Sequence, residues 1–157
     1  FLGNTGGHCM FDKFTFHWKA LQKKGIISND EFISATFTQH YRTVEEFIKP
    51  FENPDSKVSK SGLKLRSYKT MLTNCPYKVY YQKNKSTMSS LDYAKSLIPT
   101  MRSWSETVFK TALNKRNSTE IDKIVDIFYD SYQEEIANNP IGHAMDYIHI
   151  VMDIEKV

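Results

Sequence analysis

Histidine, cysteine and paired carboxylates are the side chains here with chemistry to offer, and none stands at a spacing that a familiar mechanism needs. His17 has no acid or nucleophile at a recognisable separation, so it reads as a solvated or hydrogen-bonded histidine rather than a catalyst. Cys9 and Cys75 lie far apart, outside any CxxC pair or Cys/His ligand set. That pattern points to reduced thiols rather than a zinc site or a disulfide framework. The Glu45-Glu46 pair falls where a helix starts and suits its dipole; working as acid and base, two carboxylates would have to face each other across a cleft. Gly3, Gly6 and Gly7 form neither GxGxxG nor a P-loop and read as a loop. GxSxG and HExxH do not occur.

The remaining candidates are aromatic. Phe11, Phe14, Trp18 and Leu21 recur at threes and fours, the spacing of one helix face, and that face is either core or the floor of a ligand pocket. Trp104 stands in the middle of a later apolar helix pattern and carries the same two readings.

Composition bounds the function more than it names it. At 157 residues the chain fits a single domain spanning 1–157, large enough to bury about two-thirds of its unfolded surface. With 25% charged, 40% hydrophobic and 13% aromatic residues it has the balance of a soluble globular protein. A net charge of +3, spread along the chain, argues against nucleic acid as a partner. No apolar run is long enough to span a membrane and no leader pattern opens the chain, so the expected location is cytoplasmic. The opening Phe1-Leu2-Gly3-Asn4-Thr5-Gly6-Gly7 reads as the end of a strand running into a turn, as in a fragment.

The elements that must hold these residues follow from caps and periodicity. A helix over 11–24 ends at Gly25, where a left-handed cap and the Lys23-Lys24 charge are both favoured. Ser28 with Glu31 and Thr43 with Glu46 form capping boxes. Between them, residues 32–42 form a short strand or an extended crossing, and Pro50 stops the second capped helix. Residues 62–72 alternate as a half-buried strand, with Leu63, Leu65 and, after a polar step, Tyr68 and Leu72 on the apolar side. Tyr77 to Gln82 reads as another short strand or a tyrosine-rich edge segment. Residues 91–114 form a helix that either kinks at Pro99 or divides there. Thr119, with Asp122 as its partner, caps a strong helix whose face runs from Ile121 to Ile136. The chain closes on a strand over 145–154, buried mainly on one face.

Phe1-Leu2-Gly3 before an aromatic helix, Leu21 with Gly25-Ile26-Ile27-Ser28, Tyr41-Arg42-Thr43-Val44-Glu45-Glu46-Phe47 with Pro50-Phe51, and Ser61-Gly62-Leu63-Lys64-Leu65 together resemble the second half of the SABATH family. Its members are S-adenosylmethionine-dependent carboxyl methyltransferases acting on small acids such as salicylate and jasmonate. The resemblance covers essentially the whole length. It implies an α+β chain, mostly a helical cap with two to three strands that complete the mixed sheet of a Rossmann-like methyltransferase. The cofactor-binding half lies outside it, so S-adenosylmethionine is expected to bind the parent protein and not this chain alone.

By the same resemblance, Phe11 matches a position where an aromatic, commonly Trp, packs over the substrate's ring, and Trp104 looks like a cap residue that closes the pocket. No catalytic, cofactor-binding or metal-ligating residue carries over. The partner implied is a small carboxylic acid. Strands without their sheet also imply a tendency to homodimerise. The alternative is a non-catalytic helical interaction module, in which the aromatic stripes are core and partner surface.

Overall fold

The computed structural model describes residues 10–38 and 41–157; the glycine-rich opening, Cys9 and the Gln39-His40 step of the crossing segment lie outside the described residues. The fold is α+β and mainly helical, with one two-stranded antiparallel sheet. It separates into two compact units that alternate along the sequence. A helical unit holds residues 10–38 and 74–146, and a ribbon unit holds residues 41–73 and 147–157.

In the helical unit, α1 (Met10–Lys23) buries Phe14, His17, Trp18 and Leu21 on one face. Gly25 closes it at φ +70°, with Gly25 N–H donating to Gln22 O and Ile26 N–H to Leu21 O, each at 3.0 Å. That pair of bonds is the Schellman cap, which needs a residue in the left-handed region. The Ser28–Glu31 capping box opens α2 (Asn29–Ser34), a helix without a single buried residue. Residues 35–38 then run on without a strand partner.

The stretch expected as a tyrosine strand is instead helix α5 (Pro76–Lys83). Pro76 supplies the preset φ of a first helical position. Tyr77 and Tyr81, four apart, pack side by side against the core, and Tyr81 stacks on Tyr93 at 4.8 Å between centroids. Helix α6 (Ser90–Ala112) passes through Pro99 as one helix, its path fixed by the buried Leu97, Ile98 and Met101 around the proline. Helix α7 (Ser118–Asn138) is capped by Asn117, not Thr119, with Asn117 Oδ1 accepting from Glu120 N–H at 3.0 Å. Asparagine outranks threonine at that position. A 3-10 turn at Pro140–Gly142 follows. The core formed by α1, α5, α6 and α7 is rich in rings, among them Trp18, Tyr93, Phe109, Phe128 and Tyr129.

In the ribbon unit, the Thr43–Glu46 capping box opens α3 (Val44–Glu52). Pro50 does not stop it. A proline inside a helix gives up its own N–H bond and crowds the carbonyl four residues back; here the helix runs on by only two residues and closes with Asn53 N–H on Lys49 O at 3.1 Å. The carbonyl of Pro50 accepts from the hydroxyls of Ser56 and Ser59 at the neighbouring α4 (Lys57–Lys60). Strand β1 (Leu63–Thr73) then pairs with β2 (Tyr147–Lys156), with a register shift between Leu65 and Ser67 that leaves Arg66 unpaired.

That bulge resets the faces. It brings Leu63 and Leu65 onto the same side as Tyr68 and Leu72, opposite Ile154, Met152 and Ile148. The expectation of half-buried strands does not survive. Leu72 is 54% exposed, Tyr68 and Ile148 48%, and Ile154 42%, since among the described residues of the ribbon unit none forms a second layer over this part of it. At Gly62, φ is +73° and a Cβ would stand 2.6 Å from Val157 O, so the turn into β1 admits glycine on two counts.

Candidate functional site

Two constellations in the helical unit merit chemical inspection. The first is aromatic. Helix α1 presents Phe11, Phe14 and Trp18, α6 presents Trp104 and Phe109, and Phe37 comes from the stretch after α2. The structure brings the two sequence-predicted residues together: the Phe11 and Trp104 rings meet edge to face at 6.0 Å. Both also touch Phe14, at 6.2 and 5.8 Å, and Phe37, at 5.3 and 6.2 Å.

Beside this cluster opens a cleft of about 60 Å³, walled by Phe14, Thr15 and Trp18 of α1, Phe109 of α6, and Phe32, Ala35 and Phe37. Phe11 and Trp104 do not line it; they form the layer in contact with two residues that do. The walls carry no ionisable group, and their polar atoms are engaged: the Thr15 hydroxyl donates to Phe11 O at 2.9 Å, and the Trp18 indole N–H lies 3.4 Å from Glu31 O. Such a cleft can hold an apolar or flat group by contact and orient it. It cannot move a proton.

One of its walls is tethered from outside. Arg116, in the turn between α6 and α7, forks onto Glu31 with Nε to Oε1 at 2.6 Å and Nη2 to Oε2 at 2.8 Å. It also donates to Ile26 O at 3.0 Å. The guanidinium hydrogen bonds hold the Glu31 carboxyl down to about 2 against the opposing effect of burial.

The second constellation is polar and lies between α1 and α7. His17 shares hydrogen bonds with Ser131 Oγ at 2.7 Å and with Glu135 Oε2 at 2.6 Å. Glu135 also pairs with Lys13, and its Oε1 lies 3.6 Å from Nε2 of the buried His143. Burial pushes His17 below its ordinary value despite the carboxylate beside it, and does the same to His143. For Glu135, burial alone would raise the carboxyl, but the bonds from Lys13 and His17 outweigh it and hold it low.

A serine, a histidine and a glutamate in a row suggest a nucleophile, but Ser131 sits in the middle of α7. The backbone N–H groups around it are spent on the helix, so no donor pair is left for an oxyanion. The His17, Ser131 and Glu135 side chains make a hydrogen-bonded polar joint between two helices, and His17 is the hydrogen-bonded histidine that its isolation suggested. Sequence reasoning missed its partners: Ser131 and Glu135 are four apart on α7, one face of a helix, but only packing tells which face meets His17.

Asp146 plays a similar part for α5. Its Oδ1 accepts from Cys75 N–H at 2.7 Å and its Oδ2 pairs with Lys78. Cys75 is buried with a free thiol. Among the described residues, no group of three or more His, Cys, Asp or Glu is placed to hold a metal ion, and no helix is long and apolar enough to cross a membrane. Comparison of the sequence with protein-family models finds no match, and comparison with curated proteins finds none.

Proposed function

We propose that this chain is the substrate-shaping portion of a SABATH-type, S-adenosylmethionine-dependent carboxyl methyltransferase, with β1 and β2 completing a mixed, Rossmann-like sheet in the parent enzyme. The observation that carries the reading is the bare apolar face of the ribbon, where Tyr68, Leu72, Ile148 and Ile154 stand exposed in register. A two-stranded ribbon is marginal in water by itself. An apolar face of this kind suits a larger sheet whose faces are covered by helices.

The aromatic cleft fits the chemistry of such an enzyme. A substrate carboxylate is already ionised at neutral pH, so an oxygen lone pair attacks the sulfonium methyl carbon in line. The carbon–sulfur bond breaks and its electron pair stays on sulfur, leaving a thioether. Orientation and exclusion of water are what the protein must supply, and no general base is required. Phe14, Phe37 and Trp18 offer an apolar wall, with Phe11 and Trp104 packed behind Phe14 and Phe37 as the layer that sets its shape. The cofactor is held elsewhere in the parent polypeptide, and the chain alone does not bind it. The buried free thiol of Cys75 accords with a cytoplasmic location, and the bare ribbon with self-association when the chain is isolated.

The small cleft favours a second reading. At about 60 Å³ it is well below the roughly 300 Å³ at which ligand pockets usually begin, and a non-catalytic interaction module needs no pocket at all. Calorimetric titration of S-adenosylmethionine into this chain, and into the longest natural polypeptide containing it, separates the two. Binding by the longer polypeptide alone, followed by methylation of a small carboxylic acid, is the expected result. Binding by neither overturns the enzyme and leaves the interaction module.

A further inference from the structure

Residues 26–38 differ from everything else around the aromatic cleft in how they are held. Helix α2 has six residues and buries none, too short a helix to persist by its own propensity. Its polar attachment converges on one side chain, beside the packing of Phe32, Ala35 and Phe37 against the core. Glu31 takes the Arg116 fork, and its Oε2 also accepts the Ser28 N–H of the capping box at 2.6 Å. Arg116 additionally holds Ile26 O, the first carbonyl past the Gly25 cap. The same two residues therefore tie down both the start and the middle of the segment.

Three of the cleft's walls, Phe32, Ala35 and Phe37, belong to this segment, and the others belong to α1 and α6. The near end is anchored by Ile27, which is 2% exposed, just after Gly25. Arg116 itself sits in the short turn joining the two longest helices, a fixed post.

We infer that residues 26–38 form a strap closed over the aromatic cleft, that the Glu31–Arg116 pair is its latch, and that release of the latch admits an apolar carboxylate which the closed cleft is too small to accept. This deepens the reading of the cleft as the substrate wall and rests on it. At about 60 Å³ the cleft is far smaller than a pocket that takes a ring-bearing ligand, so such a ligand enters only when Phe32 and Phe37 move, and they move with α2. A latch of this kind lowers apparent affinity by the fraction of molecules that are open.

Three variants test it. E31Q removes the charge yet keeps an oxygen for the Ser28 cap, R116A removes the fork, and R116K keeps the charge without the fork. Amide hydrogen exchange reads the latch, and quenching of tryptophan emission by benzoate reads the cleft, since the only two tryptophans, Trp18 and Trp104, line or adjoin it. In E31Q and R116A, exchange over residues 29–38 should quicken roughly tenfold or more while α6 and α7 keep their protection. Benzoate should then bind about fivefold more tightly than to the unaltered protein, with R116K between the two. Unchanged exchange over 29–38 overturns the latch. Faster exchange with benzoate affinity unchanged, weakened or undetectable in every variant overturns the gate. Neither readout involves S-adenosylmethionine, so failure of the latch and failure of the methyltransferase reading are seen separately.

Discussion

The helical unit and the ribbon unit are built from the same kinds of residue and end up in opposite conditions. Every fully buried side chain among the described residues belongs to the helical unit, where rings from α1, α6 and α7 interlock around Phe14, Phe109 and Phe128. The ribbon unit has leucines, isoleucines and tyrosines at the right register for a core face and buries none of them. Pattern and burial are separate facts. An apolar face records what a surface is suited to meet, and only a second layer turns it into core.

The contrast can be broken or sharpened by substitution. Phe109→Ala should destabilise the helical unit by about 3–5 kcal/mol in a urea titration, since it removes a buried ring touching Trp18, Phe37 and Phe128. Asp146→Ala strands Lys78 and the Cys75 N–H, and a loss of roughly 3 kcal/mol is expected in the same titration.

Acid should act on the helical unit through its two buried histidines. His17 and His143 both titrate below their ordinary 6.5, so the unfolded chain binds protons that the native form refuses. Their contribution is complete above about pH 6.5, declines as pH falls below that value, and is lost once pH passes through the native values. Thermal melts from pH 7.5 to 5 should fall accordingly, and His143→Gln should flatten the slope.

Smaller effects complete the series. Gly25→Ala meets no atom within 4 Å, so its cost is only that of a left-handed alanine, about 1 kcal/mol. Ile148→Ala, on the exposed face of the ribbon, should change the stability of the isolated chain by less than about 0.5 kcal/mol. A loss as large as that for Phe109→Ala would mean that the ribbon face is already covered in solution.

What could be read from the residues in advance was local. Gly25 after two lysines, Ser28 with Glu31, and Thr43 with Glu46 each complete their bonds within a few residues, and the structure has all three. The polar step between Leu65 and Tyr68 was legible too, because the bulge at Arg66 is a break in a period-two pattern. Tyr77 to Gln82 failed because tyrosines favour strands in isolation, while Pro76 and the four-residue spacing of Tyr77 and Tyr81 commit the segment to a helix packed on Tyr93. Pro50 failed because a proline two residues from a helix end leaves little helix beyond it to disturb.

At the candidate site, Phe11 and Trp104 were legible as aromatics on helix faces, and their meeting was not, being separated by most of the helical unit in sequence. The Glu31–Arg116 fork and the His17–Glu135 joint span 85 and 118 residues, and nothing short of the fold announces such pairs.

The central claim is that the ribbon is one part of a larger, covered sheet. Amide hydrogen exchange over β1 and β2, measured in this chain alone and in the longest natural polypeptide that contains it, tests that most directly. Fast exchange in the chain and strong protection in the longer polypeptide are expected. Equal exchange in both would contradict the claim and leave the ribbon as a finished surface.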